Sequence, residues 1–199
     1  MISSPATSFP SRPRYAPLAA RPCRSVLMVA DDAGAAALVA LAEQAPELMP
    51  KATILHVQDG VSMAPALRAL GPAKLVELAA TADLDAALDR VLADATMGLQ
   101  VFLAGSEGLI GQAQARVLAA GLPPGAIQSE HRGTAARRMQ CVHCKTVAEN
   151  ITTDPYTCPG CGRALYVRDH FSRRLGAFQG VCIDAETPGD VPEPVEIRL

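Results

Sequence analysis

The 199-residue chain reads as an α/β protein, a parallel sheet in three layers joined to a small ribbon built on four cysteines. Three observations predict this. Between Ser25 and His131, short apolar runs alternate with segments of helical period, the pattern of βαβ units. Hydrophobic residues make up 49% of the chain but aromatics only 4%, with no Trp, so Ala, Leu and Val must fill the interior. Two Cys-x-x-Cys pairs, Cys141 with Cys144 and Cys158 with Cys161, lie thirteen residues apart, which is metal-ligand spacing.

Residues 1–24 carry Arg12, Arg14, Arg21 and Arg24 and no acid, as an organelle transit sequence does. Pro5, Pro10, Pro13, Pro17 and Pro22 break any amphipathic helix there, so the segment is expected to be a disordered arm. Val26 to Ala30 predicts a first buried strand, and Gly34 to Ala45 a helix that stops before Pro46. Thr53 to Val57 and Lys74 to Leu78 predict the next strands, separated by the turn signal Asp59-Gly60. Leu84, Leu88, Val91 and Leu92 recur at helical spacing behind a cap at Thr81 or Asp83. Gln100 to Ala104 predicts a fourth strand, which leads through Gly105-Ser106 into a helix with Ile110, Ala113, Val117 and Leu118 on one face. Gly121 ends that helix and Ala126 to Ser129 forms a fifth strand. The α/β domain thus spans 25–131, the ribbon 132–170 and an extended docking tail 171–199. In the tail, Thr187-Pro188-Gly189 and the later prolines rule out helix or central strand. No run of eighteen apolar residues occurs, so no membrane partner is expected, and the chain is expected to be soluble and cytoplasmic.

Four thiolates at the spacing of Cys141, Cys144, Cys158 and Cys161 converge on one tetrahedral ion, because each knuckle offers two sulfurs to the same centre. Structural zinc is the expectation. Disulfides would need an oxidising compartment, and nothing resembles a secretory signal. Iron fits the same cage, and the run Cys158-Pro159-Gly160-Cys161-Gly162 resembles a rubredoxin knuckle, which implies a small electron carrier. Lys145 stands where rubredoxin carries glycine in the first knuckle. Cys23 and Cys182 lack partners at ligand spacing and are read as a free thiol and a small buried hydrophobe.

The net charge of −2 hides a division: residues 132–174 carry +5 and the rest −7. A basic metal-bound module raises a nucleic-acid-binding or regulatory reading, but the larger domain is acidic and no base-reading motif occurs. An acidic protein partner or a solvated face is the plainer reading. Tyr166, Phe171 and Phe178 cluster beside Arg173 and Arg174, as interface anchors or as packing over the ribbon. No catalytic set emerges. His56 follows an apolar strand, His131 and His143 flank the ribbon without a nucleophile, and His170 with Asp169 is read as a structural hydrogen bond.

The runs Val101 to Ile110, Gly121-Leu122-Pro123 and Ile127-Gln128-Ser129-Glu130 resemble the strand-to-helix turn and C-terminal ending of the nucleotide domain of ferredoxin-NADP reductases. That resemblance implies the fold over residues 25–131. Nucleotide binding in those enzymes needs a glycine-rich turn after the first strand, where glycines let the backbone approach a pyrophosphate. Here the turn is Ala30-Asp31-Asp32-Ala33-Gly34, which sets negative charge in the place of phosphate, and Ala104-Gly105-Ser106 replaces the family's Cys-Gly-Pro. No nucleotide site is expected; as a solvated turn and helix cap the aspartates need no ligand.

The two knuckles, the run Val167 to Arg174 and the run Gly180 to Gly189 together resemble the small subunit of dimethylamine monooxygenases. The resemblance implies an accessory chain with no catalytic or cofactor-binding residues beyond the four metal cysteines. Its partners would be a haem-bearing catalytic subunit and a reductase subunit holding FMN and a 2Fe-2S cluster, with NADPH as electron source.

Overall fold

A computed structural model describes residues 11–198. Five parallel strands, β1 (Ser25–Asp31), β2 (Ala52–Val57), β3 (Lys74–Leu78), β4 (Leu99–Gly105) and β5 (Ile127–His131), form the main sheet in the order β3-β2-β1-β4-β5. The order reverses between β1 and β4, so their C-terminal ends frame the crevice typical of doubly wound sheets. Strand residues alternate between two cores, as the twofold period demands. Val26, Met28, Ala30, Ile54 and Phe102 face α1 (Ala35–Gln44) and α2 (Ala64–Ala69), whereas Leu27, Val29, Leu55, Val101 and Leu103 face α3 (Leu84–Ala93) and α4 (Glu107–Ala119). Both faces of the sheet are therefore dry, which explains why its strands read as unbroken apolar runs.

Two local expectations shift. Thr81–Asp83 forms a 3-10 turn leading into α3, and Asp83 at its N-cap makes no side-chain capping bond. The six-residue α2, begun by Ala64-Pro65, was too short to show a helical period in the sequence.

The ribbon is larger than its expected bounds. Strands β6 (Arg137–Cys141), β7 (Val147–Ile151), β9 (Tyr156–Thr157), β10 (Ala164–Ser172) and β11 (Ala177–Cys182) make a second sheet in the order β7-β6-β11-β10-β9, and β8 (Thr153–Asp154) pairs with β12 (Val195–Glu196). Residues 171–182, expected within an extended tail, instead complete β10 and form β11, which lies parallel to β6 and antiparallel to β10. The reason is burial: Phe171 and Phe178 pack edge to face at 5.1 Å inside the ribbon core with Met139, Ile151, Leu165 and Val167. Among the three clustered aromatics only Tyr166 faces solvent.

The ribbon sits on α4 through a glycine contact. A Cβ on Gly176, whose φ is +60°, would lie 2.1 Å from the carbonyl oxygen of Gly111, and one on Gly111 would lie 2.5 Å from that of Gly176. Only bare backbone fits on both sides.

Residues 11–24 form no helix or strand, yet they are seated along the molecule, contrary to a free disordered arm; residues 1–10 lie outside the described chain. Leu18 is buried in the α1-side core. The Leu18 amide donates to Glu130 Oε2 at 2.8 Å, that of Ala19 to Gln128 Oε1 at 3.0 Å, and Arg21 Nη1 to the Gly125 carbonyl at 3.0 Å. Further out, Ser11 Oγ donates to the carbonyl of Asp169 in the ribbon at 3.0 Å. The buried leucine and these bonds hold an irregular segment in place without secondary structure.

Candidate metal centre

The four cysteines meet where the loop between β6 and β7 faces the loop between β9 and β10. Each loop closes by the same two backbone bonds. Cys141 N donates to the Thr146 carbonyl and Lys145 N to that of Cys141; Cys158 N donates to the Arg163 carbonyl and Gly162 N to that of Cys158, all at 2.9–3.0 Å. The residue after the second cysteine must then turn left-handed, and Lys145 at φ 66° adopts the same conformation as Gly162 at φ 71°. This is how the first knuckle does without the glycine expected from the rubredoxin pattern. Gly160 is required for another reason: a Cβ there would lie 2.1 Å from Thr146 Oγ1 and 3.2 Å from Cys144 Sγ.

All four Sγ atoms lie within 4.8 Å of one another, with Cys141 to Cys161 at 3.9 Å and Cys144 to Cys158 at 3.6 Å. A tetrahedron of sulfurs about 2.3 Å from a central ion has edges of about 3.8 Å, so these residues fit a four-thiolate metal site. The cysteines are free of disulfides. The hydroxyl and amide of Thr146 beside Cys144 pull its thiol down to about 6, which favours the ligating thiolate. Thr146 Oγ1 lies 3.2 Å from Cys144 Sγ, and its hydroxyl donates once the thiol has ionised. His143, between the first pair, is exposed and stands apart from the four sulfurs.

At the C-terminal ends of β1 and β4 the two aspartates take different roles. Asp31 is 2% exposed, and its carboxylate accepts from Gly34 N at 2.8 Å and Ser106 N at 2.8 Å, bridging the starts of α1 and α4. Gly105, at φ +138°, is needed beside it, because a Cβ would come within 2.3 Å of Asp31 Oδ1. Asp31 thus caps two helix N-termini from a buried position: the capping role expected of this turn holds, and its solvation does not. Asp32 accepts from the amides of Asp59, Gly60 and Met63 and from His56 Nε2, all at 2.8–2.9 Å. Burial works against its charge, but those amides outweigh burial and hold the carboxyl below its ordinary value.

Glu107, in the first turn of α4, is 2% exposed. Tyr15 from the N-terminal segment donates its hydroxyl to Oε1 at 3.4 Å and stacks obliquely on His131 at 5.4 Å, while Oε2 has no partner among the described residues. Burial pushes the Glu107 carboxyl up, and burial followed by the charge of Glu107 does the same to the Tyr15 phenol. Ser106 accepts from Leu109 N at 3.4 Å as the expected cap. The expected Asp169–His170 pair does not form: Asp169 takes Arg137 Nη2 at 2.5 Å, and Arg137 stacks over Phe178 at 4.4 Å. Cys182, expected to be buried, is half-exposed and donates to Asp184 Oδ1 at 3.1 Å. Cys23 is half-buried against the α1-side core.

These features define an α/β protein with a doubly wound sheet, an internal carboxylate at its crevice and a four-thiolate ribbon packed on its last helix. Family comparison sharpens this class. Residues 7–127 match the N-terminal domain, and residues 138–181 the C-terminal domain, of the family described as dimethylamine monooxygenase subunit DmmA-like. The chain belongs to that family. It is 35% identical over 195 residues to the heme-dependent oxidative N-demethylase delta subunit of Ectopseudomonas mendocina (strain ymp), covering 97% of this chain and 100% of the relative. Among solved structures, the ferredoxin reductase of carbazole 1,9a-dioxygenase in its FAD apo form aligns with a TM-score of 0.43 and 18% identity over 56% of this chain and 34% of that one. The flavohemoglobin of Malassezia yamatoensis with bound FAD and heme aligns with a TM-score of 0.40 and 14% identity over 57% and 33%. The chain spans about a third of the length of each of these two proteins. No helix among the described residues is long and apolar enough to cross a membrane.

Proposed function

We propose that this chain is an accessory, non-catalytic subunit of a cytoplasmic haem-dependent oxidative N-demethylase, and that it docks the catalytic and reductase subunits. The carrying observation is the match of the whole chain to a delta subunit of such an enzyme, at 35% identity across 100% of that relative. In the assembly, dimethylamine, O2, NADPH and a proton give methylamine, formaldehyde, NADP+ and water. Haem, FMN, the 2Fe-2S cluster and NADPH belong on the partner subunits.

Two features of the chain support the accessory role. Asp31 fills the point where the N-termini of α1 and α4 converge, and its negative charge disfavours a nucleotide phosphate there. Cys141, Cys144, Cys158 and Cys161 would hold zinc, whose four protein thiolates leave no open coordination position for chemistry. The metal then shapes the ribbon that packs on α4.

The test is to co-express this chain with haem-bearing and flavin/iron–sulfur subunits, purify by a tag on this chain, and measure metal, haem and flavin together with formaldehyde formed from dimethylamine and NADPH. Recovery of a complex that turns over, with zinc retained by this chain alone and haem and flavin absent from it, supports the reading. Tight NADPH binding or oxidation by the isolated chain would refute it, and stoichiometric iron with a visible charge-transfer band would replace zinc by the electron-carrier alternative.

A further inference from the structure

The outer face of the second sheet is assembled by register rather than by sequence proximity. Val147 pairs with Gln140, Gln140 with Gln179 and Gln179 with Arg168, so these four side chains form one row across β7, β6, β11 and β10. Tyr166 and Val181 make the next row. Their neighbours Leu165, Val167, Met139 and Ala148 point the other way into the ribbon core. The outer rows leave Tyr166 46% and Val147 39% exposed, and Val142 on the adjoining knuckle is 38% exposed.

Between Arg132 and Arg174 the charges do not cancel, although the acids of residues 184–196 offset them over the whole ribbon. Each acid between Arg132 and Arg174 is used internally: Glu149 by Arg138, Asp169 by Arg137, and Asp154 by the Val167 amide at 3.0 Å. Arg132 is taken by Glu130. Lys145, Arg163, Arg168, Arg173 and Arg174 make no ion pair among the described residues. Lys145 Nζ donates to the Val142 carbonyl of its own knuckle at 2.6 Å, and Arg163 flanks the second knuckle. Arg168, Arg173 and Arg174 remain. Arg174 lines a hollow of about 240 Å³ beside α4 together with Arg138, Arg116, Gln112 and one acid, Asp85.

We infer that this face, with the exposed Tyr166 and Arg168 side by side on β10 and Arg174 beside α4, docks an acidic surface of a partner subunit in the proposed demethylase assembly, an inference that rests on that assembly. An exposed aromatic beside amides and unpaired arginines is a composition that protein interfaces favour, and the cations set the charge of what it meets. Nucleic acid is the competing occupant, but the α/β domain beside the ribbon is acidic and the middle of the face is formed by the amides Gln140 and Gln179.

The experiment uses the full tagged chain co-expressed with the haem-bearing and reductase subunits. The triple variant Tyr166→Ala, Arg168→Glu, Arg174→Glu is expected to lower recovery of one partner by roughly tenfold or more, with a matching loss of salt sensitivity. Its melting temperature should match that of the wild type, because none of the three side chains is buried. Lys74→Glu, on the far edge strand, should leave recovery unchanged. If the triple variant recovers both partners like the wild type, the inference is overturned while the proposed function stands. Failure of the wild-type chain to recover either partner removes the proposed function itself, and the inference with it. If the wild type binds single-stranded or duplex DNA with a steep salt dependence that the variant lacks, and the assembly is intact in both, the face belongs to nucleic acid and the inference is likewise overturned.

Discussion

Replacing Asp31 by alanine tests whether the crevice is held closed from inside. The carboxylate accepts from Gly34 N and Ser106 N, and alanine strands both donors. A buried donor left unsatisfied costs about 1–3 kcal/mol. The Gly34 amide is buried whereas that of Ser106 is only partly so, which puts the combined loss at about 3 kcal/mol. For a chain of this size each kcal/mol shifts the melting temperature by about 2–4 °C, so Asp31→Ala should melt about 6–12 °C lower. Asp31→Asn keeps one acceptor and should lose about half as much. Circular dichroism melts read the shift, and added formate should restore part of the stability of the alanine variant but not of the asparagine variant, because only alanine leaves a space for a small anion between two helix N-termini. An alanine variant that melts within about 2 °C of the wild type, under 1 kcal/mol, would refute the internal-anion argument.

If the four cysteines hold a metal as proposed, its chelation should unfold the ribbon while the α/β sheet persists, since the ribbon core shares no residue with the two cores of the sheet; limited proteolysis should cut residues 137–182 first, and simultaneous loss of both regions would contradict this. Lys145→Gly removes a left-handed non-glycine residue and should stabilise the ribbon by about 1 kcal/mol, read as slower loss of metal to a chelator. Glu107 has a folded-state carboxyl raised above 4.5, so the native state binds the proton more tightly than the unfolded chain, and stability falls as pH rises from 4.5 through the raised value. Glu107→Gln keeps an acceptor for Tyr15 and should melt higher than the wild type at neutral pH, the gap closing on acidification to below 4.5; a gap that widens at low pH would reverse the assignment.

The sequence revealed the features whose physics is local. The cysteines stood out because ligand spacing within a knuckle is a short-range requirement, and the strands of the main sheet because both faces of Val26 to Ala30 and Val101 to Ala104 are buried. The ribbon strands were hidden because their pairing is long-range: β11 lies beside β6, some forty residues earlier in the chain, and only that contact makes Phe178 a core residue instead of a tail aromatic. The burial of Asp31 was hidden for a similar reason. Its bond to Gly34 lies three residues away and could have been found as a capping pattern, but its bond to Ser106 spans 75 residues. Leu18 and Tyr15 were the available signal that the N-terminal segment is seated, since apolar side chains in a proline-broken arm need a surface to cover.

That seated segment imposes an order on the birth of the molecule. Ser11 bonds to a residue 158 positions later, and Leu18 to one 112 positions later. At ribosomal speeds of about 5–20 residues per second, Ser11 waits roughly 8–30 s for its acceptor. Residues 16–21 can cover the outer strand β5 once residues 125–130 are made, whereas the hold of Ser11 on Asp169 waits for the ribbon. The residues translated early therefore close the fold late, and a bulky fusion placed before them would hinder the final clasp rather than the first collapse.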